Sequence, residues 1–400
     1  MHIVFVMTQS LNSPSGLGRY GPIARQLAGL GHEIEVIALH PNWQQVKPKS
    51  FHDRGVKVRY VGQMHVRKIG PRKIYYSPVK LMAVSLASTL RLARALVQSK
   101  AEIIQLCKAQ PYNVLAARIA GKGRPVYCDC DDYEAETNRF SGSWQKRIVS
   151  YFEDGIVDHI RGLTTNTRFT QARYTALGFQ QERIVYVPNG VERERFESTK
   201  DIDQLKRRLD PDDRIRWGDP IIAYAGTLGL ASHPVDLLLE AFAEVQRFVP
   251  AAQLLLIGGG EDYDQLRTTA QQLTIGEKTF FTGRVPPEEM PGTYALATVT
   301  VDPVHDDLTA RARSPLKVVE SLACGTPVIT ASVGDRREML HGGQLGLLVS
   351  AGDAQGLARG IVQLLTNAQQ RATMSARALA FRDEWYWHRL VRDFVTVYRY

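Results

Sequence analysis

The stretch RARSPLKVVESLACGTPVITA, residues 311–331, decides the fold class because it holds one complete helix–strand unit. Pro315 suits the first turn of a helix, which is predicted over Leu316–Cys324. Gly325-Thr326-Pro327 stops that helix, and the apolar run Pro327–Ala331 predicts a buried strand. A helix that leads directly into a short apolar strand is typical of an α/β protein.

The same alternation continues on both sides of this unit, in two blocks, and it argues for parallel sheets covered on both faces. The strands predicted in the first block are His2–Met7, Glu33–Leu39, Val56–Val61, Ile103–Cys107, Val126–Asp129, Gly162–Thr165 and Ile184–Pro188. Those of the second block are Ile221–Ala225, Gln253–Ile257, Thr279–Thr282, Val299–Val301, Pro327–Ala331 and Gly346–Val349. The predicted helices are Tyr20–Gly31, Val79–Gln98, Pro111–Ala120, Trp144–His159, Val235–Val249, Tyr263–Leu273, Pro287–Leu296, Leu316–Cys324 and Gly356–Asn367.

A chain of 400 residues is too long for one typical core, since domains usually run to roughly 100–200 residues. The two blocks therefore predict two Rossmann-like domains, 1–190 and 219–380, joined by a charged linker over 191–218. Ligands of such sheets bind beyond the carboxyl ends of the strands. We expect the function in a cleft between the two domains.

The composition indicates a reducing compartment and no membrane span. The four cysteines are too few and too scattered for a disulfide framework or a zinc site. No apolar run approaches the ~18–20 residues of a transmembrane helix. The apolar start Ile3–Met7 has no basic segment before it, so a signal peptide is not expected. These features predict a cytoplasmic protein that is soluble or peripheral to a membrane.

The charge is concentrated in the first half of the chain. Residues 1–200 carry 29 Lys and Arg against 16 Asp and Glu, whereas residues 201–400 carry 21 against 25. A half this basic favours an anionic partner. Nucleic acid is not expected, because no helix-turn-helix, zinc-finger or RNA-binding signature is present.

The predicted helix Val79–Val97 follows a cluster of basic residues and has an apolar face. That face suits an interfacial helix on an anionic membrane. The alternative is an ordinary helix that packs on the sheet with a solvated basic rim. The face consists of Val79, Met82, Ala83, Leu86, Leu90, Ala93 and Val97.

Two glycine-rich segments lie where a predicted strand meets a helix. Ser13–Gly18 contains Gly16 and Gly18, which would let backbone N–H groups approach an anion at a helix start, although a tight turn is the alternative. Gly258-Gly259-Gly260 is the second segment, and three glycines at one strand end favour the approach of a ligand.

The segment 311–320 carries the strongest chemical signal. Three cations, Arg311, Arg313 and Lys317, surround the predicted helix start, and together with the helix dipole they predict a phosphate site. Glu320 lies one turn beyond Leu316, so its carboxylate can reach a hydroxyl group of a ligand bound there.

Asp129-Cys130-Asp131-Asp132 follows a predicted strand and resembles a D-x-D metal motif. It lies in the basic half, away from the phosphate-like features. We therefore expect no metal there, and interpret these carboxylates as groups that orient a sugar hydroxyl or cap the next helix.

Taken together and in this order, these segments resemble the retaining glycosyltransferases of the GT-B fold, in particular glycosyltransferase family 4. The resemblance covers nearly the whole chain, and Pro315–Val328 is its most specific part. The aromatic segment at Trp385 resembles the last helix of the family, which implies that 381–400 crosses back to the first domain. The other matching segments are Gly16–Tyr20, Gly31–Val36, Val187–Glu192, Tyr224–Leu228, Leu256–Glu261 and Phe281–Pro286.

The resemblance implies that the second domain binds a nucleotide-diphosphate-sugar donor, a UDP- or GDP-sugar, and that the first binds a glycan or lipid-linked acceptor. Glu320 matches the second Glu of the E-x7-E motif of the family, which binds the nucleotide ribose, and Val285 matches the backbone site for the base. No metal or other cofactor is implied. The complete predicted donor site is Gly16, Gly18, Gly226, Thr227, His233, Gly259, Arg284, Val285, Arg313, Ser314, Leu316, Lys317 and Glu320.

The sequence departs from the family at three places. The first Glu of E-x7-E is replaced by Ala312, and the Arg and Lys that usually hold the diphosphate align with Thr227 and His233. The usual active-site His after Ile103–Cys107 is absent. Lys108 and Asp131 are the candidates for orienting the sugar there.

The predicted function is transfer of a sugar with retention, with an acceptor on or near an anionic membrane. Two alternatives remain at this point. A sugar-nucleotide epimerase shares the fold, and a non-catalytic subunit that binds a nucleotide-sugar or a lipid would tolerate the replacements at Ala312, Thr227 and His233.

Overall fold

The computed structural model describes residues 1–69, 72–138, 140, 142–197 and 201–400. They form two compact units. Unit 1 comprises Met1–Asn189, Ala312–Ser314 and Trp387–Tyr400, and unit 2 comprises Gly190–Arg311 and Pro315–Tyr386. Of the predicted linker 191–218, residues 198–200 lie outside the described residues.

Ten strands belong to unit 1, and eight of them form one sheet. The strands are β1 (His2–Met7), β2 (Glu33–His40), β3 (Ser50–Asp53), β4 (Val56–Gln63), β5 (Val66–Ile69), β6 (Arg72–Tyr75), β7 (Ile103–Cys107), β8 (Val126–Cys130), β9 (Gly162–Thr165) and β10 (Ile184–Tyr186). Their order is β10-β9-β8-β7-β1-β2-β4-β3, parallel except for the β3–β4 pair. β5 and β6 form a separate antiparallel hairpin.

Both faces of the unit 1 sheet are covered, as alternate residues of β1 show. Val4 and Val6 lie in one hydrophobic core, whereas Ile3 and Phe5 lie in another. The second core also contains residues of the C-terminal segment, including Trp387. The helices between the strands of unit 1 are α1 (Gly21–Gly29), α2 (Pro78–Gln98), α3 (Pro111–Ala120), α4 (Glu134–Thr137), α5 (Ser143–Asp154) and α6 (Arg168–Ala176).

Unit 2 has a six-stranded parallel sheet in the order β13-β12-β11-β14-β15-β16. Its strands are β11 (Ile221–Ala225), β12 (Gln253–Ile257), β13 (Thr279–Gly283), β14 (Val299–Asp302), β15 (Val328–Ala331) and β16 (Gly346–Val349). Its helices are α7 (Arg193–Phe196), α8 (Ile202–Leu209), α9 (Val235–Phe248), α10 (Tyr263–Gln272), α11 (Met290–Ala295), α12 (Leu308–Arg311), α13 (Leu316–Ala323), α14 (Arg336–Met339), α15 (Ala354–Thr366) and α16 (Ala368–Phe381). The last helix of the chain, α17 (Trp387–Phe394), packs on α1 within unit 1.

Most of the predicted strands are present with bounds that differ by no more than two residues. The elements that the sequence did not predict include β3, the β5–β6 hairpin, α6, α16 and the four-residue helices α4, α12 and α14. β3, for example, reads SFHD, and its residues are exposed or half-buried, so it carries no apolar pattern. The segment Ser13–Gly18 was predicted as a loop, but its last residues belong to a short π-helix, Gly16–Tyr20, that leads into α1.

Candidate functional site

Each sheet reverses its strand order once, and the reversal defines where a ligand is expected. In unit 1, β1 lies between β2 and β7, and in unit 2, β11 lies between β12 and β14. Open parallel sheets bind ligands at the carboxyl ends of the strands beside such a reversal. We call these two places the unit 1 switch point and the unit 2 switch point.

A half-buried lysine lies at the unit 2 switch point. Lys317, in the first turn of α13, places its Nζ 3.1 Å from Asp302 Oδ1 at the end of β14 and 4.9 Å from the centre of the Tyr224 ring. A Cβ atom at Gly226, directly after β11, would come within 3.2 Å of Lys317 Cε. Because the same Cβ atom would lie 2.8 Å from the Tyr224 hydroxyl, the glycine leaves room for both the tyrosine and the lysine side chains.

The other oxygen of Asp302 belongs to a second cation. Arg336 Nε donates a hydrogen bond of 2.8 Å to Asp302 Oδ2. Burial by itself raises the pKa of Asp302, but the charges of Lys317 and Arg336 outweigh it and hold the pKa well below its usual range. The Lys317 cluster, which we define as Lys317, Arg336 and Asp302, thus carries two positive charges and one negative charge. This excess favours an anionic ligand.

Glu320 lies one turn after Lys317 and is buried with two partners. Arg195 Nη2 donates to Glu320 Oε1 at 2.9 Å, and the hydroxyl of Tyr294 donates to Oε2 at 3.0 Å. Burial raises the pKa of Glu320, against the opposing effect of Arg195. These partners fix the orientation of the carboxylate, and each oxygen retains a lone pair for a ligand hydroxyl.

The three glycines after β12 do not have the same role. A Cβ atom at Gly258 would lie 1.9 Å from the carbonyl oxygen of Gly226, and one at Gly260 would lie 2.0 Å from that of Leu228. Those two glycines are required by the packing of one loop against the next. Gly259 faces Arg284 at 3.7 Å, an ordinary contact distance, so it is the glycine at which a ligand can approach.

The remaining predicted donor residues of unit 2 lie around this edge with different exposure. Arg284 and Thr227 are exposed, and the Thr227 carbonyl accepts a hydrogen bond of 3.0 Å from the Tyr224 hydroxyl. His233 and Val285 are half-buried. Leu316 packs against a hydrophobic cluster that includes other residues of α13.

The predicted cationic segment 311–317 is divided between the two units. Arg311 is exposed and forms an ion pair with Asp306 at 2.6 Å, whereas Arg313 and Ser314 belong to unit 1. In unit 1 the carbonyl of Ser314 accepts a hydrogen bond of 2.8 Å from Asn189 Nδ2. Of the three cations, Lys317 is therefore the one that the structure places at the unit 2 switch point.

The unit 1 switch point also contains a lysine, which is buried. Lys108 follows β7 with a left-handed backbone, φ 77°, which is uncommon for a residue with a side chain. Its Nζ lies 3.1 Å from Asp131 Oδ1, 3.0 Å from Asp132 Oδ2 and 2.5 Å from Glu134 Oε1. We call these four residues the Lys108 cluster. Backbone strain of this kind is retained where the surrounding structure fixes a side chain for function.

The Lys108 cluster has an excess of negative charge. Burial by itself lowers the pKa of Lys108, yet the three carboxylates raise it well above its usual value. Burial raises the pKa of Asp131 to about 6, although Lys108 acts in the opposite direction. The Asp131 Oδ1 contact with Lys108 lacks hydrogen-bond geometry, so this buried oxygen can still accept a hydrogen bond. Such a site favours hydroxyl donors over anions.

The carboxylates of the Lys108 cluster also have the spacing of a cation site. Oxygens of Asp131, Asp132 and Glu134 lie within 4.8 Å of one another. The cation that the structure places among them is the Lys108 ammonium.

The glycine segment after β1 is organised by Arg19, which the sequence did not single out as a site residue. A Cβ atom at Gly16 would lie 2.5 Å from the carbonyl oxygen of Ser10, so the close approach requires glycine. Gly18 is buried in the same π-helix. Arg19 forms a two-pronged ion pair with Asp129, at 2.7 and 2.6 Å, which fixes this helix to the end of β8.

Sequence reasoning missed Arg195, Tyr294, Asp302 and Arg336 in unit 2, and Arg19 and Glu134 in unit 1. A signal existed for Asp302, because an acid that ends an apolar strand at a predicted ligand edge is unusual. Tyr294 and Arg336 lie on helices whose packing the sequence does not specify. Nothing in their local pattern distinguishes them from other polar positions.

Comparison with known proteins identifies the class. Residues 206–380 match the family described as "Glycosyl transferases group 1", and residues 15–190 match the "Glycosyl transferase 4-like domain". A GDP-mannose-dependent alpha-(1-6)-phosphatidylinositol monomannoside mannosyltransferase of Mycolicibacterium smegmatis is 24% identical over 89% of this chain and 87% of its own length. A D-inositol 3-phosphate glycosyltransferase of Acidothermus cellulolyticus is 31% identical over 64% of this chain and 56% of its own length.

Solved structures show the same fold. Sucrose-phosphate synthase from Thermosynechococcus elongatus superposes with a TM-score of 0.76 at 16% identity, over 100% of this chain and 98% of that one. Anabaena Alr3699/HepE, solved with UDP and glucose, gives a TM-score of 0.74 at 17% identity, over 100% and 99% of the two chains. The related proteins are transferases, so the epimerase and the non-catalytic alternatives are set aside. The chain belongs to the group 1, family 4-like glycosyltransferases and is a retaining glycosyltransferase of the GT-B fold that uses a nucleotide-sugar donor.

Proposed function

We propose that the protein transfers a sugar from a GDP-sugar, with GDP-mannose as the first candidate, to a lipid-linked glycan at the inner, cytoplasmic face of an anionic membrane. The observation that carries the donor part is the position of Lys317 beside Gly226 at the unit 2 switch point, one turn before Glu320. An anion-favouring cluster and a fixed carboxylate at this spacing suit a diphosphate and a ribose.

GDP is preferred over UDP because the mycobacterial relative that matches most of the chain is named as GDP-mannose-dependent. UDP is the second candidate, since a structural neighbour was solved with UDP. The two bases differ in size, and Val285 with Gly283-Arg284 would form the backbone site for either.

In this proposal Lys317, with Arg284, stabilises the leaving diphosphate, while Asp131 and Lys108 orient the sugar. Developing negative charge on a leaving diphosphate is best stabilised by cations that are already fixed in place. Lys317 is fixed by Asp302, and Asp131 is fixed beside Lys108. No metal is required in this proposal, because the ammonium groups of Lys317 and Lys108 supply the positive charge at the two switch points. Transfer activity is therefore expected to remain unchanged after incubation with EDTA.

The lipid-linked acceptor is supported by the surface of α2. Val79, Met82 and Leu86 are 76%, 69% and 64% exposed, and with Leu90 they form one stripe along the helix. Ala93 of the predicted face is buried in the core, and Val97 beyond it is exposed again. Lys80, Arg91 and Arg94 are exposed beside that stripe. An apolar stripe flanked by cations suits insertion into the headgroup region of an anionic bilayer.

The opposite face of α2 belongs to the fold. Leu92 and Leu96 are buried in the first core of unit 1, and α2 packs against α3 and β4. Within the described ranges, α2 is the one helix whose length and composition alone would allow a membrane crossing. Because the inner face of α2 is buried in the core, we propose that the helix lies on the membrane rather than across it.

The cytoplasmic location is supported by the cysteines. All four are free thiols, and Cys128 and Cys130 remain unlinked with sulfur atoms 3.7 Å apart. Unlinked neighbouring thiols are stable in a reducing compartment.

The donor part is tested by thermal shift with GDP, UDP, ADP and TDP. Ligand at 100 times its Kd should stabilise the protein by about 2.7 kcal/mol. GDP is expected to give the largest shift, and Glu320→Ala should abolish it, whereas Glu277→Ala, at an exposed position, should not. A shift that survives in Glu320→Ala would contradict the proposed ribose contact. Incorporation of labelled mannose from GDP-mannose into a lipid-extractable product tests the acceptor.

A further inference from the structure

A second exposed apolar stripe lies on α5. Trp144, Ile148 and Tyr151 are spaced by four and three residues and therefore share one helical face. Trp144 is 51% exposed and Tyr151 is 68% exposed. Large aromatic side chains are seldom left in water along a whole helix face without a function. The stripe is separate from the one on α2.

The two stripes face outward from the same layer of helices. α3 packs against both α2 and α5. Phe152 of α5 packs on the same core that buries Leu92 of α2 and Val114 of α3. Because the inner sides of these three helices rest on one face of the sheet, their exposed sides point away from it together. Ile119 of α3 is exposed between them.

The chemistry of the α5 stripe matches a lipid headgroup region. Trp and Tyr combine an apolar ring with a polar group and are enriched at membrane–water interfaces. Arg147 is exposed on the same helix and supplies positive charge, whereas the exposed Lys146 forms an ion pair with Glu136 at 2.8 Å. Cations beside interfacial aromatic residues complement an anionic bilayer better than a neutral protein surface.

We propose that α5 is a second lipid-contacting helix, whose Trp144 and Tyr151 insert beside α2 into the headgroup region of an anionic bilayer. The proposal rests on the proposed membrane location. It extends that location from one helix to a surface formed by α2, α3 and α5.

The inner side of α5 connects this surface to the Lys108 cluster. Glu153 is buried and accepts hydrogen bonds from the backbone N–H groups of Glu134, at 2.8 Å, and Ala135, at 3.1 Å. Glu134 in turn contacts Lys108. A lipid-bound α5 therefore holds the segment that carries one carboxylate of the proposed sugar-orienting site.

The test uses the fluorescence of Trp144. All five tryptophans lie in the described ranges, and the other four are buried or half-buried. Vesicles of phosphatidylglycerol and phosphatidylcholine should shift the wild-type emission to the blue, and brominated phosphatidylcholine in the same vesicles should quench it. Trp144→Phe should lose both effects. If Trp144 keeps its emission in water while the protein co-sediments with the vesicles, α5 does not contact lipid.

Co-sedimentation supplies the second readout. The triple variant Trp144→Ser, Ile148→Ser, Tyr151→Ser should bind the anionic vesicles at least roughly tenfold more weakly than wild type, because three apolar contacts are lost. Phe248→Ser, which removes an exposed aromatic residue of α9, is the matched control and should bind like wild type. The thermal shift with GDP should be unchanged in both variants.

The possible outcomes distinguish a failure of the α5 contact from a failure of the membrane location. If the triple variant binds as wild type while Val79→Ser, Met82→Ser, Leu86→Ser does not, α5 is not a lipid-contacting helix and the location stands. If the wild-type protein binds no vesicles, both the membrane location and the lipid contact of α5 are overturned. If the triple variant changes the oligomeric state and not vesicle binding, the stripe is an interface between proteins and the proposal is overturned.

Discussion

The two switch points of this glycosyltransferase each hold a lysine, buried in unit 1 and half-buried in unit 2, but with opposite surrounding charge. Lys317 shares one carboxylate with Arg336, whereas Lys108 is contacted by three carboxylates. The first arrangement leaves a positive excess that suits a leaving diphosphate. The second leaves a negative excess that suits sugar hydroxyl groups. The same type of residue at the switch points of two Rossmann-like units therefore has opposite electrostatic surroundings, which its partners determine.

Removal of Lys317 should have the largest effect on activity. Lys317→Met should lower kcat/KM for transfer by about 10²–10³-fold, because a fixed charge at the leaving group is lost. The matched control is Arg267→Met, an exposed cation of unit 2. A loss below about tenfold, with the melting temperature unchanged, would show that Lys317 does not face the diphosphate.

Removal of Lys108 should have the largest effect on stability. Lys108→Met leaves three buried or half-buried carboxylates without their cation, and the free energy of unfolding should fall by about 3–5 kcal/mol. Urea unfolding measures this. In the double variant Lys108→Met, Glu134→Gln, the second substitution removes part of the repulsion among the carboxylates. It should therefore restore some of the lost free energy of unfolding. If it recovers none, the negative excess is not what Lys108 balances.

The raised pKa of Asp131 should make the stability of the protein depend on pH. Since its folded value of about 6 lies above the unfolded value near 4, the folded protein binds a proton first as pH falls. The stability contribution of Asp131 is therefore complete below about pH 4 and is lost as pH rises through 6. Between pH 7 and pH 4 the wild type should gain roughly 2 kcal/mol relative to Asp131→Asn, measured by urea unfolding. Equal pH dependence in both proteins would contradict the raised pKa.

The smallest expected effect concerns the support of Glu320. Tyr294→Phe removes one hydrogen bond to the carboxylate and should raise the KM for the donor by roughly two- to tenfold. The kcat value should change little, because the ribose contact is the same in the ground state and the transition state. A matched control is Tyr263→Phe, a half-buried tyrosine that packs on Phe281. A fall in kcat at unchanged KM would place Tyr294 in the chemistry instead.

The strand bounds could be predicted because both faces of each sheet are covered. Residues at alternate positions of β1 or β11 enter different cores, so the strands read as continuous apolar runs. The β5–β6 hairpin was missed for the opposite reason. Its Ile69, Ile74 and Tyr75 are exposed, and the hairpin pairs with neither sheet, so no period in the sequence marks it.

The donor segment was predictable for a local reason. Lys317 and Glu320 lie one turn apart on a helix that Pro315 begins and Gly325 ends, so their shared face follows from the helical period. The sequence also singled out Asp131 and Lys108 as candidates, through a missing His and an acid-rich strand end. It did not show that they contact each other.

The fold class, the placement of the strands and the helix that carries Lys317 and Glu320 can be read from the sequence, because these features depend on neighbouring residues. The charge of each site follows from the tertiary structure. Arg195 is 125 residues from Glu320, Asp302 is 15 from Lys317, and Glu134 is 26 from Lys108. Contacts over such separations are set by which strands become neighbours in the sheet, and the local pattern of a chain does not contain that information.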